Sequence, residues 1–183
     1  MRSRCMTVVV LGLFAGCGVG PGGADGGDGG QLTASWPDGA LVLGHNQHAG
    51  QGADLALFEP LPAEVLLTPG AQGGFHVEVI YRVTAQTVPG ASFAHRVTKL
   101  DGGVLVSKGT RRFDVAPDAG ADWQSEPFPV FMCPTPVGVS VLNEPVFFEI
   151  TATSADGGLL GRTSGTTTIR CEAGQYCETI CKG

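Results

Sequence analysis

Four histidines and six cysteines are the side chains in this sequence best suited to holding a metal or forming a covalent bond. His45 and His48, in the stretch GHNQHAG, stand three apart in an expected loop and could share an ion. Zinc takes four ligands and copper at least three, so the pair needs a further donor such as His76 to become a site. His76 and His95 fall on neighbouring expected strands. A hairpin turning near residue 88 sets His95 opposite Tyr81 or Ile80, about 15 Å from His76 at strand rise, too far to share an ion. A copper- or zinc-handling domain therefore requires three of His45, His48, His76, His95 and Met132 to converge. Scattered, they are ordinary solvated histidines of the surface.

The segment PGAQGGFHVEV, residues 69–79, has two readings. Gln72 and His76 could line a polar pocket for a small ligand. Alternatively, the glycines let two backbones approach closely at a bulge. Motifs that pair a nucleophile with a base are missing: there is no Gly-x-Ser-x-Gly elbow, no His-Glu-x-x-His and no P-loop. Glu78 and Glu149 occupy outward strand positions, and nothing brings their carboxylates together as glycoside hydrolysis needs. Gly18-x-Gly20-x-x-Gly23 matches the dinucleotide fingerprint without the preceding strand and following helix that give it function. The Gly/Asp run nearby corresponds to one calcium-binding nonapeptide repeat, without the stacked neighbours such repeats need. A protein without catalytic residues or cofactor is expected, with a hydrolase as the weakest alternative.

The N-terminus carries more information. Met1 to Arg4 is basic, Met6 to Ala15 is apolar apart from Thr7 and Gly12, and small Ala15 and Gly16 precede Cys17. That order is the one of a secretory signal. The apolar run is about half the roughly twenty residues that span a bilayer, so it reads as an export segment and not as an anchor. Leu13-Phe14-Ala15-Gly16-Cys17 resembles the lipobox of bacterial lipoproteins, with Phe14 where leucine is commonest. The resemblance implies cleavage before Cys17 and a thioether-linked lipid on its sulfur. Two or three acyl chains on one residue hold permanently where a single chain binds reversibly. Gly18, not aspartate, follows the cysteine, which in the enteric members of that family points to the outer membrane, on its periplasmic or surface face. Residues 17–31 then form a Gly/Asp-rich tether too poor in apolar surface to order itself, reaching roughly 20 Å.

With Cys5 lost in the signal and Cys17 acylated, Cys133, Cys171, Cys177 and Cys181 remain, an even set suited to an oxidising compartment. Four cysteines allow three pairings. Spacing favours Cys133–Cys171, closing a loop of about 38 residues worth ~4 kcal/mol in the chain-entropy picture, with Cys177–Cys181 pinning the tail, residues 172–183. A zinc knuckle is the rival use of the same four.

From about residue 32 the apolar pattern has period two. In GFHVEVIYRVT (74–84), Phe75, Val77, Val79, Tyr81 and Val83 share one face, while His76, Glu78, Arg82 and Thr84 share the other, with Ile80 the exception. PVFFEITAT (145–153) alternates likewise, and SFAHRVTKL (92–100) does so less cleanly. Shorter candidates are 41–44, 54–58, 64–68, 104–107, 110–115, 128–132 and 163–170. Asp-Gly-Gly at 101–103 and 156–158 suits tight hairpins followed by a bulge. No run of ten residues has helical periodicity. Seven to nine short strands predict an all-β fold, a single antiparallel immunoglobulin-like β-sandwich over 32–171, with a small barrel as the alternative. The QGGFH segment, together with the strand–Asp-Gly-Gly–strand pattern near 146–168, is similar to lipoproteins of myxobacteria in which a β-sandwich follows a lipobox and a Gly/Asp-rich linker. That family implies a class and no activity.

Apolar residues make up 43 % of 183, enough for a real core. The net charge is −6, and loss of residues 1–16 leaves nine basic against seventeen acidic side chains. No basic stripe runs along the sequence, so nucleic acid is not an expected partner. The expectation is a lipid-anchored, non-catalytic binding or structural module of the cell envelope, partnered by the membrane and by an envelope protein or a peptide that adds to a strand edge. An envelope metal-binding domain using His45, His48 and His76 is the alternative.

Overall fold

The computed structural model describes residues 35–46, 57–117, 122–172 and 176–182. The signal peptide 1–16, Cys17, the rest of the linker 17–31, and His48 lie outside the described residues. The elements are β1 (Leu41–His45), β2 (Glu59–Pro60), β3 (Glu64–Leu66), β4 (Thr68–Pro69), β5 (Phe75–Val83), β6 (Val88–Lys99), β7 (Leu105–Val115), β8 (Trp123–Gln124), β9 (Phe128–Cys133), β10 (Pro145–Thr153), β11 (Leu159–Arg170) and the single-turn helix α1 (Cys177–Ile180).

These strands form two sheets. The first centres on β5, with β1 and then β2 on one side; β4, β8 and β9 also pair with β5. The second has the order β3-β11-β10-β6-β7. Every pairing is antiparallel except β3 with β11. The protein is an all-β sandwich of immunoglobulin-like arrangement, as the period-two pattern implies. β10 spans Pro145–Thr153, the bounds read from its alternation. Both Asp-Gly-Gly turns close hairpins, β6–β7 and β10–β11. Gly102, Gly103 and Gly157 have positive φ angles, which these turns require, and each hairpin carries a register shift close to its turn.

Three expectations change. β5 is not half-buried: Val77, Val79, Tyr81 and Val83 face the core, yet His76 and Ile80 on the opposite face are buried too. Ile80, the break in the alternation, marked this second covered face. Phe58 is one of its covers: it lies over Gly44, where a Cβ would come 2.4 Å from the ring, and under the Arg82 guanidinium at 3.8 Å. Secondly, β5 and β6 are not a hairpin. They lie in different sheets, and β6 pairs with β7 and β10.

The third change is the cysteine pairing. The disulfides are Cys133–Cys181 and Cys171–Cys177, not Cys133–Cys171 and Cys177–Cys181. The reason is α1, a single turn too short to show helical periodicity in the sequence. Residues four apart on a helix hold their Cβ atoms about 5–6 Å apart, wider than the about 3.5–4.5 Å a disulfide spans. Cys177 and Cys181 thus sit side by side, sulfurs 3.7 Å apart, and each takes another partner. Cys177 reaches back to the end of β11. Cys181 reaches the end of β9, held there as its carbonyl accepts from Val141 N at 3.2 Å and Ser140 Oγ at 3.3 Å.

The core is aromatic at its centre. Phe93 of β6 stacks on Tyr81 of β5 with centroids 5.0 Å apart and planes 13° apart. It also meets Trp36, Phe113 and Trp123 within 6.0 Å. One side chain of the second sheet therefore touches rings from most of the sandwich. Phe93→Ala should cost about 3–5 kcal/mol, read as a lowered denaturant midpoint with an unchanged slope. Digestion under non-reducing conditions with proteases cutting after Arg/Lys, Tyr and Glu should yield Cys133 linked to Cys181 and Cys171 linked to Cys177. A Cys133–Cys171 peptide would contradict the fold of the tail.

Candidate functional site

Among the described residues the histidines do not converge. His45, at the end of β1, pairs across the sheet with Val79, whose side chain faces the core. Its Nδ1 donates to the Glu59 carbonyl at 3.4 Å and its Nε2 lies 3.7 Å from Glu59 Oε2. His76 projects from the opposite face of the same sheet. Its Nε2 donates to Glu78 Oε1 at 2.7 Å, and its ring meets Phe131 edge-on at 5.5 Å. His95 is in the second sheet, opposite Ile150 and Gly109. Met132 is in the core. His45 and His76 are both buried, contrary to the expectation of surface histidines. Among the described residues, the one group of three or more His, Cys, Asp or Glu side chains close enough to share an ion is Cys171, Cys177 and Cys181, and all three are in disulfides.

Gln72 is exposed on the turn before β5, whereas His76 is buried and engaged by Glu78. The glycines around them serve the backbone. Gly70 N donates to Gly74 O at 2.7 Å, Gly73 N to Gly70 O at 3.0 Å, and Gly73 has φ +83°. A Cβ on Gly74 would lie 2.8 Å from the Cys133 carbonyl, beside the register shift at Phe75/His76. This is the close backbone approach at a bulge.

A different surface gathers chemistry: the outward face of the second sheet. Val146, Phe148, Ile150 and Ala152 of β10 point inward, so Phe147, Glu149 and Thr151 point out. Register carries the alternation across neighbouring strands. Ser164, Glu149, Arg96 and Lys108 form one row; Arg162, Thr151, Ala94 and Thr110 form the next. Arg112, paired with Ser92, extends the face along β7. A groove of about 470 Å³ lies along β10 and β11 over Phe147, Glu149, Thr151, Arg162 and Ser164. A second, of about 420 Å³, lies along β6 and β7 over Ala94, Arg96, Lys108, Gly109 and Thr110.

Arg96, Lys108, Arg112 and Arg162 are exposed, and among the described residues none of them forms an ion pair. Arg170, by contrast, is held by Glu64 at 2.6 Å and Lys99 lies 3.9 Å from Glu144. No basic stripe shows in the sequence because these four cations are spread over positions 96 to 162. Only the strand register brings them together.

Burial, and then the field of Arg111, push the His95 pKa below its ordinary value. The unfolded chain accordingly takes up a proton that the folded one refuses. The stabilising share is full above the unfolded pKa of about 6.5 and is lost as pH falls from there toward the folded value. His95→Gln should therefore lose less stability than the parent between about pH 8 and about pH 5. Urea midpoints at both pH values measure the difference, and equal losses would remove His95 from the account.

No family model and no curated protein matches the chain. Among solved structures, a candidate beta-galactosidase from Bacteroides fragilis aligns over 55 % of this chain and 15 % of its own, at 14 % identity and a TM-score of 0.32. The chain thus spans a small fraction of that protein's length, and a likeness of this size carries no argument about activity.

Proposed function

We propose that this protein is a lipid-anchored binding module of the cell envelope, held at Cys17 and working through the outward face of its five-stranded sheet, without catalysis. The observation that carries the binding reading is the set of four exposed cations, without an ion-pair partner among the described residues, on one sheet face of a chain whose net charge is −6. Exposed cations of this kind contribute little to the stability of the fold, which leaves them available to a ligand. The LFAGC segment at 13–17 supports the anchor. The two disulfides support residence in an oxidising compartment. Among the described residues no helix is long and apolar enough to cross a membrane, so in this reading attachment falls to the lipid.

Cys17→Ser should move the protein from the membrane to the soluble fraction and abolish incorporation of radioactive palmitate. Labelling that persists in the variant would rule out Cys17 as the acceptor. Release should leave the denaturant midpoint unchanged, since Cys17 precedes the described fold.

A further inference from the structure

We infer that the outward face of the five-stranded sheet binds an acidic oligosaccharide, the carboxylates of a uronic-acid chain meeting Arg96, Lys108, Arg112 and Arg162. This gives a ligand class to the binding reading above and does not depend on the lipid anchor.

Three features point to that class. The first is charge: the four cations lie on β11, β6 and β7 of one sheet, and strands about 4.8 Å apart spread them over roughly 14 Å from β11 to β7. A single small anion would meet one or two of them, whereas a chain with a charge on each unit can meet them all. The second is the groove lining. Thr151 and Ser164 in one groove and Thr110 in the other offer hydroxyls, which both donate and accept as sugar hydroxyls do. The third is Glu149, directly opposite Arg96 and exposed in the middle of the cations. A carboxylate there accepts hydrogen bonds from sugar hydroxyls; it repels uronate carboxylates as it does phosphates, so it favours a ligand with hydroxyls between its charges and does not by itself choose among polyanions. Phe147 at the end of the first groove adds an apolar ring against which a sugar can rest. Ala94 keeps the floor of the second groove low.

The test is calorimetric titration of the purified full chain in detergent with oligogalacturonate at low ionic strength, and with a neutral glucan oligomer of equal length. The acidic oligomer should bind and the neutral one should not, and binding should weaken as salt is added. Arg96→Ala and Lys108→Ala should each weaken it about tenfold, the loss of one charge-assisted contact. Lys182→Ala, which removes the same charge away from the face, should leave it unchanged. All three positions are exposed, and circular dichroism of each variant reports retained folding. Absence of oligogalacturonate binding, equal binding of the neutral oligomer, or equal weakening by Lys182→Ala overturns the inference. So does equal affinity for phosphatidylglycerol vesicles or for oligothymidylate, which would make the face a general polyanion surface. Failure here with palmitate labelling intact removes the ligand class and leaves the anchor standing; the reverse pattern removes the anchor alone.

Discussion

The stack of Phe93 on Tyr81 is the contact on which the rest of this structure depends. It joins the two sheets through a pair of fully buried rings, one from each. Phe113, Phe128 and Trp123 close around them. The Tyr81 hydroxyl is buried with no hydrogen-bond partner among the described residues, and burial drives its pKa well above the ordinary phenol value. A polar group left in that state costs about 1–3 kcal/mol, and the area and stacking of the ring outweigh it. The consequence reaches the surface. With Phe93 pointing inward, pleat parity sends Ala94 and Arg96 outward, and register sends Glu149, Lys108 and Arg162 with them. A slip of one residue would bury the cations and expose the rings, so the core enforces the charged face.

The two outward faces of the sandwich differ, and the difference says which one is free. On the first sheet, Ile80 and His76 are buried, Phe58 lies on Arg82, and Phe131 lies on His76. That face is largely used in folding. A strand covered on both sides reads as a near-continuous apolar run, and β5 has that character apart from the His76–Glu78 pair and Arg82. The second sheet keeps clean alternation on β10, with its polar members exposed or half-buried beside open grooves. The proposed working surface thus falls where the local sequence is least committed to packing.

Much of the fold was legible because it rests on local rules. Alternation placed β10, Asp-Gly placed both hairpins, and the glycines of QGG announced a close backbone approach. What was not legible depends on partners distant in sequence. Whether His95 faces Tyr81 or Ile150 is a matter of sheet membership, which no local pattern states. The disulfide pairing turned on four residues of helix, too short to show a period of 3.6. The charged face was hidden for the same reason. Arg96, Lys108 and Glu149 each look like an ordinary solvated strand residue, and only the β6–β7 and β6–β10 registers set them in one row.

An array of this kind has a particular physics. A single exposed ion pair contributes little, about 0–1 kcal/mol, and salt screens it within about 8–10 Å. No one cation on this face can hold a ligand. Strength has to come from several contacts made together by one connected ligand, so that each contact after the first is intramolecular. Rigidity favours this. The cations stand on hydrogen-bonded strands whose inward neighbours are locked in the core, so their backbone positions are set before binding and only side-chain freedom is lost. In the proposed reading, a sheet of fixed, individually weak cations selects ligands by length and charge spacing, which a loop of the same composition could not do.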